Sequence, residues 1–249
     1  INSMEAKYIH RELSAVIEEA YRYFSVITVT GPRQSGKTTL LRNLFSYLPY
    51  YSLENLDVRS FAENDPVAFL NQHTEGMILD EVHNAPNLLS YIQGMVDNDA
   101  DRRFILSGSS QFAMLKKVTQ SLAGRTAVFE LLPLSYSEIR EQITDTPLDN
   151  LLFNGFYPAI YSGRNIPKFL YPAYMKTYLD KDVRDLLQIK DMMQFHTFIR
   201  LCAGRIGSLF KASELANEIG VSSHTVTAWL SVLQASYIVF LLPPYFENT

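Results

Sequence analysis

Residues 31–38 read Gly-Pro-Arg-Gln-Ser-Gly-Lys-Thr, a complete G-x-x-x-x-G-K-[ST] pattern, and few backbone paths can use such a sequence. Gly31 and Gly36 open dihedral angles that a Cβ would close, so that successive N–H groups can converge on one anion. Lys37 brings an ammonium group suited to β- and γ-phosphates, and Thr38 a hydroxyl suited to Mg²⁺. The flanks agree. Val26-Ile27-Thr28-Val29 is an apolar, β-branched run that predicts a buried strand. From Lys37 to Phe45, the residues Leu40, Leu41, Leu44 and Phe45 recur at helical spacing. The loop would then open a helix whose positive end faces the phosphates. The expected nucleotide-binding residues are Gly31, Pro32, Arg33, Gln34, Ser35, Gly36, Lys37, Thr38 and Thr39.

A second strand signal, Met77-Ile78-Leu79, closes in Asp80-Glu81. In a parallel sheet such a strand delivers its last residues to the carboxyl edge, where ligands sit. Asp80 is the expected metal-shell residue, with Thr38, and Glu81 the expected acceptor of a proton from attacking water. Phe104-Ile105-Leu106 predicts another strand, ending at Ser107. Ser107 is the first candidate and Ser109 the second to sense a γ-phosphate or hold the lytic water, with a helix N-cap as the open alternative. Arg125 follows Gly124 and would stabilise a transferring phosphoryl group, in its own subunit or a neighbour's. A purely structural or solvated arginine is the alternative.

Strands expected near 26–30, 50–53, 77–80, 103–107 and 126–131 alternate with helical segments. They call for an α/β fold built on a doubly wound parallel sheet. No Asn-Lys-x-Asp segment that would read guanine occurs, so adenine is the expected base.

Taken together, Gly-Pro-Arg-Gln-Ser-Gly-Lys-Thr-Thr, Leu-Asp-Glu-Val-His, Leu-Ser-Gly-Ser-Ser, Ser-Leu-Ala-Gly-Arg and Leu-Pro-Leu-Ser-Tyr-Ser-Glu resemble a prokaryotic AAA-type P-loop ATPase family. The resemblance continues through Tyr178–Arg184 to Leu241–Phe246. It implies an ATP-binding core, a winged-helix segment and, in members of the family, a further part resembling a restriction endonuclease that this sequence lacks. It also implies a sensor role for Ser107, which stands where threonine is usual, and supports the arginine role of Arg125. Tyr8, Ile9 and Arg11 would line the adenine, as an N-terminal segment does in related ATPases.

From residue 147 the texture changes, with Pro147, Pro158 and Pro167 breaking short segments. Residues 1–146 are expected to form the ATPase domain and 147–249 a mostly helical module. Apolar spacing over 169–187 predicts one or two amphipathic helices, with a mixed charge cluster at Asp180–Asp185. A helix-turn-helix is expected at about 211–242: a first helix at Ser213–Ile219 with a serine cap, a turn at Gly220–Ser222, and a second helix at Ser223–Ala235. A strand at Tyr237–Leu242 would complete a winged helix.

The exposed face of that second helix offers Ser222, Ser223, His224, Thr225 and Thr227, with no cation. Affinity for DNA rests largely on phosphate neutralisation, so DNA is a weakly supported partner and a protein contact the preferred use. The whole chain has 22 Lys and Arg against 26 Asp and Glu, a net charge of −4, which excludes a polybasic coat for nucleic acid or membranes. A single cysteine, Cys202, excludes an internal disulfide. Five histidines lack metal-site spacing, and His83 reads as a loop or core residue. With one cysteine a reducing cytoplasm is the expected setting, and no apolar run is long enough to span a bilayer.

These readings converge on a Mg²⁺-dependent ATPase that couples nucleotide state to a winged-helix module, with a homo-oligomer as a candidate assembly. A nucleotide-gated switch with slow hydrolysis and a DNA-associated ATPase are the alternatives.

Overall fold

The structure is a computed structural model that describes residues 8–99, 101–108, 121–177 and 191–243. Five strands, β1 (Val26–Thr30), β2 (Tyr50–Ser52), β3 (Gly76–Asp80), β4 (Arg103–Ser107) and β5 (Thr126–Glu130), form one sheet in the order β2-β3-β4-β1-β5. Every neighbouring pair is parallel. Helices α1 (Leu13–Tyr21), α2 (Lys37–Leu44), α3 (Leu56–Asn64), α4 (Pro66–Leu70) and α5 (Leu88–Asn98) supply the crossovers and flanking layers. The expected α/β class is what forms.

The central strands are apolar along their length because both faces are covered. Alternate residues enter separate cores, as the two-residue strand period requires. Val26, Met77, Leu79, Phe104 and Leu106 join Phe69, Leu88 and Ile92 on one face. Ile27, Val29, Ile78 and Ile105 join Ile17, Leu40 and Leu41 on the other. Local signals set the helix ends: the Asn55 side chain accepts the amides of Asp57 and Val58 at the start of α3, and Asp65 caps α4 just before Pro66.

The strand order positions the site. β4 lies between β1 and β3, with Val29 beside Ser107 and Leu79 beside Leu106. The carboxyl ends of β1, β4 and β3 therefore carry the phosphate loop, Ser107 and Asp80 side by side.

After β5, Ser135 and Glu138 form a capping box at the helix Tyr136–Ile139. Leu134, Ile139 and Ile143 then gather Ile9, Leu151, Phe156 and Tyr161 into a third apolar cluster. The chain divides into two compact units, 1–167 and 168–249. Leu151, Phe156 and Tyr161, which follow the change of sequence texture at 147, pack within the first unit.

In the second unit the helices Met192–Ala203, Ala212–Ile219 and Ser223–Ala235 bury Phe195, Phe198, Leu215, Val226, Trp229 and Leu233. Trp229 packs on the Phe195 and Phe198 rings at centroid separations of 5.4 and 5.5 Å. The last two helices make the expected helix-turn-helix, with Gly220 left-handed at φ 79° and Ser222 capping the second helix. Two details differ. Ser213 lies inside the first helix and Lys211 occupies its N-cap. The strand expected at Tyr237–Leu242 does not form. Tyr237 turns left-handed at φ 58°, and the amides of Tyr237, Ile238 and Val239 bond back to Gln234 and Leu233 carbonyls. Those amides close the helix C-terminus and are not available to a sheet ladder. The charge cluster at 180–185 lies outside the described residues.

Candidate nucleotide-binding site

The loop leaves β1 through Gly31 at φ 141°, passes a left-handed Gln34 at φ 64° and enters α2 from Gly36 at φ 97°. Both glycines are required by dihedral angle. Gly31 is required by space as well, since a Cβ there would lie 2.2 Å from the Leu131 carbonyl oxygen. Lys37 is buried and donates to the Gly31 and Pro32 carbonyls at 3.0 and 2.9 Å. Burial lowers its pKa, while the carboxylates of Glu81 and Asp80 pull the other way. A phosphate would replace two neutral acceptors with a charged one. Ser35 Oγ lies buried in the same loop without a hydrogen-bond partner.

Asp80 is the meeting point of the site. Its side chain is buried at the end of β3. Oδ2 accepts the Thr38 hydroxyl at 2.7 Å and the Tyr50 hydroxyl at 2.7 Å. Oδ1 accepts the Ser107 hydroxyl and, at 3.2 Å, the amide of Glu81. A carboxylate offers about four lone-pair sites, and four donors reach this one. Glu81 itself is left-handed at φ 54°, which turns the chain sharply off the strand. Its Oε2 lies 3.1 Å from His83 Nδ1.

The structure thus gathers Lys37, Thr38, Asp80, Glu81 and Ser107 at one sheet edge. Ser109 lies outside the described residues. Arg125 is placed elsewhere. It precedes β5, and its carbonyl accepts the amide of Val26 at the start of β1, so it stands at the amino edge of the sheet. There its guanidinium grips the Asp97 carboxylate with two donors, Nη2 at 2.8 Å. That placement sets it apart from the phosphate loop of its own subunit, because a residue leading into a parallel strand starts at the edge opposite the ligand.

Further side chains reach this machinery, directly or through Arg11, by pairings that the linear motifs do not specify. Tyr50 reaches Asp80 from β2. His83 faces Glu81. Arg11 donates to the Ser35 carbonyl at 2.8 Å and pairs with Glu138 at 3.0 Å. Of the segment expected to line adenine, Arg11 is engaged by the loop backbone and Ile9 by the apolar cluster around Ile139. A Ser-x-x-Glu capping signal at 135–138 was visible in the sequence. The pairings across the fold were not.

The residues fit Mg²⁺. Thr38 Oγ1 and Asp80 Oδ2 are hard oxygen ligands 2.7 Å apart, and a partial set suits an ion that also takes waters and substrate phosphates. No group of three or more His, Cys, Asp or Glu among the described residues could hold a metal. In the second unit, Arg205 is paired with Glu218 and Lys211 with Glu214. No helix among the described residues is long and apolar enough to cross a membrane.

Comparison with known proteins agrees with this geometry. The family model of an AAA domain matches residues 23–140, and that of a domain of unknown function matches residues 145–249. An uncharacterized protein of Mycobacterium tuberculosis is 30% identical over 96% of this chain and 54% of its own length. One of Methanocaldococcus jannaschii is 22% identical over 98% of the chain and 62% of its own length. The chain therefore spans a little over half the length of the curated relatives it matches. Among solved structures, a Walker-type ATPase of Pyrococcus abyssi superposes with a TM-score of 0.59 at 13% identity, over 92% of this chain and 90% of that one. This last likeness is one of fold. Residues 23–140 thus match the AAA domain model and carry the P-loop ATPase fold, and residues 145–249 match the model of a domain whose function is unknown.

Proposed function

We propose that this chain binds ATP with Mg²⁺ and hydrolyses it, and that nucleotide state governs the C-terminal module. The observation that carries the reading is the convergence of the Thr38 and Ser107 hydroxyls on the buried Asp80 carboxylate, beside Lys37. In this reading the amides of residues 33–39 grip the triphosphate. Lys37 leaves the Gly31 and Pro32 carbonyls for the β- and γ-phosphates. Glu81 orients a water and takes its proton as the oxygen attacks the γ-phosphorus, and the bond to the bridging oxygen breaks to release ADP and phosphate. Ser107 holds the γ-phosphate or that water. Mg²⁺, carried by Thr38 and through water by Asp80, would neutralise charge on the transferring phosphoryl group. Adenine is the proposed base, and the helix-turn-helix is proposed as a protein contact, given its paired cations.

Calorimetry and turnover test the proposal. The parent should release heat with Mg·ATP. Lys37→Ala should abolish binding. Glu81→Gln should bind and turn over about a hundredfold more slowly, the usual scale of a general base. Absence of heat from Mg·ATP with folded protein would remove the reading, and parental turnover by Glu81→Gln would remove the base.

The contact between Glu81 Oε2 and His83 favours a second reading, a nucleotide-gated switch in which hydrolysis is slow. Light-scattering mass with and without nucleotide separates the two. A switch changes assembly at negligible turnover.

A further inference from the structure

Arg11 lies outside the phosphate loop in sequence and against it in space. Its side chain is 6% exposed, and that of its partner Glu138 5%. Nη1 donates to the Ser35 carbonyl at 2.8 Å, Nη2 to the Leu132 and Pro133 carbonyls at 2.6 and 3.2 Å, and Nε to Glu138 Oε1 at 3.0 Å. These bonds use four of the five N–H groups of a guanidinium. Glu138 also accepts the amides of Glu12 at 2.9 Å and Ser135 at 2.8 Å. One ion pair thus ties the N-terminal segment, the phosphate loop and the stretch leaving β5.

The bond to Ser35 bears on anion binding. The peptide joining Ser35 to Gly36 is flanked on one side by a glycine at φ 97°, where little steric resistance opposes a peptide flip. A flip would turn the Ser35 carbonyl into the cradle and the Gly36 N–H out of it. A donor site for phosphate would become an acceptor. Arg11 Nη1 holds that carbonyl at 2.8 Å, and a glycine N-cap brings no side chain that could hold the turn instead. A planar fork reaches the separate carbonyls at once, which a lysine ammonium cannot match.

We infer that Arg11 is a positioning residue that holds the Ser35–Gly36 peptide in its anion-binding orientation, with Glu138 fixing the guanidinium. The inference rests on the proposal that the loop binds nucleoside triphosphate, and it deepens that proposal by naming what keeps the loop competent.

The test uses Arg11→Lys and Glu138→Gln, the second keeping a capping-box acceptor while removing the charge. Hydrogen exchange is read across residues 31–38, and across β3 and β4 as references. In Arg11→Lys the loop amides are expected to exchange about tenfold faster or more, with β3 and β4 unchanged. KM for Mg·ATP rises about tenfold while kcat stays within about twofold, because uniform binding is lost. Glu138→Gln moves both readouts the same way by less. Unchanged loop exchange in a folded variant overturns the inference, as does equal loss of protection in β3 and β4, which marks a general support of the fold. Should Arg11→Lys fail to fold, Glu138→Gln decides by the same exchange measurement. A parent that binds no Mg·ATP would sink the proposed function, whereas the exchange readout would still judge Arg11.

Discussion

Tyr50 donates its phenolic hydroxyl to Asp80 Oδ2 at 2.7 Å, the same oxygen that takes the Thr38 hydroxyl. The pairing of β2 with β3 makes this possible, since Tyr50 sits opposite Ile78, two residues before Asp80 along β3. Burial and the adjacent carboxylate push the phenol pKa up, so Tyr50 stays a donor. The Arg42 guanidinium of α2 lies over the face of the ring, 5.0 Å from its centroid.

Tyr50→Phe should therefore keep the ring contacts and remove one of four donors to Asp80. Partners that orient a metal-binding group are worth about ten- to a hundredfold in metal affinity, and Asp80 retains three donors, so the low end is expected. The Mg²⁺ concentration for half-maximal turnover rises about tenfold, while binding of ATP measured without metal is unchanged. A magnesium titration of turnover, paired with calorimetry in chelator, checks both halves. An unchanged Mg²⁺ dependence would leave Tyr50 as a support of the sheet edge alone.

The two loop glycines should respond differently to alanine. At Gly31 the new Cβ meets the Leu131 carbonyl oxygen at 2.2 Å, with φ at 141°. Backbone must move, and a loss of about 2 kcal/mol or more is expected. At Gly36 the nearest atoms would be 3.7 Å away, so only the left-handed dihedral is penalised, at about 1 kcal/mol. Urea midpoints at constant slope distinguish them. Equal losses would mean that the dihedral, not the Leu131 contact, limits both positions.

What the sequence disclosed follows from the range of each interaction. Gly31 to Thr38, Asp80, Glu81 and Ser107 were legible because each lies in a linear pattern at the end of an apolar run, and a parallel sheet carries such ends to one edge. Arg11 and Glu138 are 127 residues apart, and no local periodicity announces that pair. Tyr50 read as an ordinary strand residue for the same reason. For Arg125 the rule that located Asp80 speaks against the own-subunit alternative and leaves the neighbour's open, for a residue entering a parallel strand starts at the opposite edge. Tyr237–Leu242 read as a strand because apolar content does not reveal whether its amides are already used in closing a helix.

Trp229 is the protein's one tryptophan, so its fluorescence reports on the second unit alone. Phe198 is buried against it, and Phe198→Ala should destabilise that unit by about 3–5 kcal/mol. The denaturant midpoint followed at Trp229 falls accordingly. The same signal tests coupling: Mg·ATP should change Trp229 emission in the parent and leave it unchanged in Lys37→Ala. Identical spectra with and without nucleotide in a parent that binds Mg·ATP would sever the proposed link between the AAA domain and the module.

Arg125 supplies the last prediction. It stands at the start of β5, next to Val26, whereas Gly31 follows the far end of the five-residue β1. A strand of that length spans about 17 Å at about 3.3 Å per residue, beyond the reach of an arginine into its own loop. Arg125→Ala should thus leave Mg·ATP affinity at the parental value. If the guanidinium leaves Asp97 and enters a neighbouring copy's site, turnover per subunit should rise with protein concentration in the parent and stay flat in the variant. Mixing gives the sharper result. An Arg125→Ala subunit keeps Glu81 and a Glu81→Gln subunit keeps Arg125, so two slow variants should together recover part of the parental rate. No recovery on mixing, with parental turnover independent of concentration, would leave Arg125 as the partner of Asp97 and nothing more.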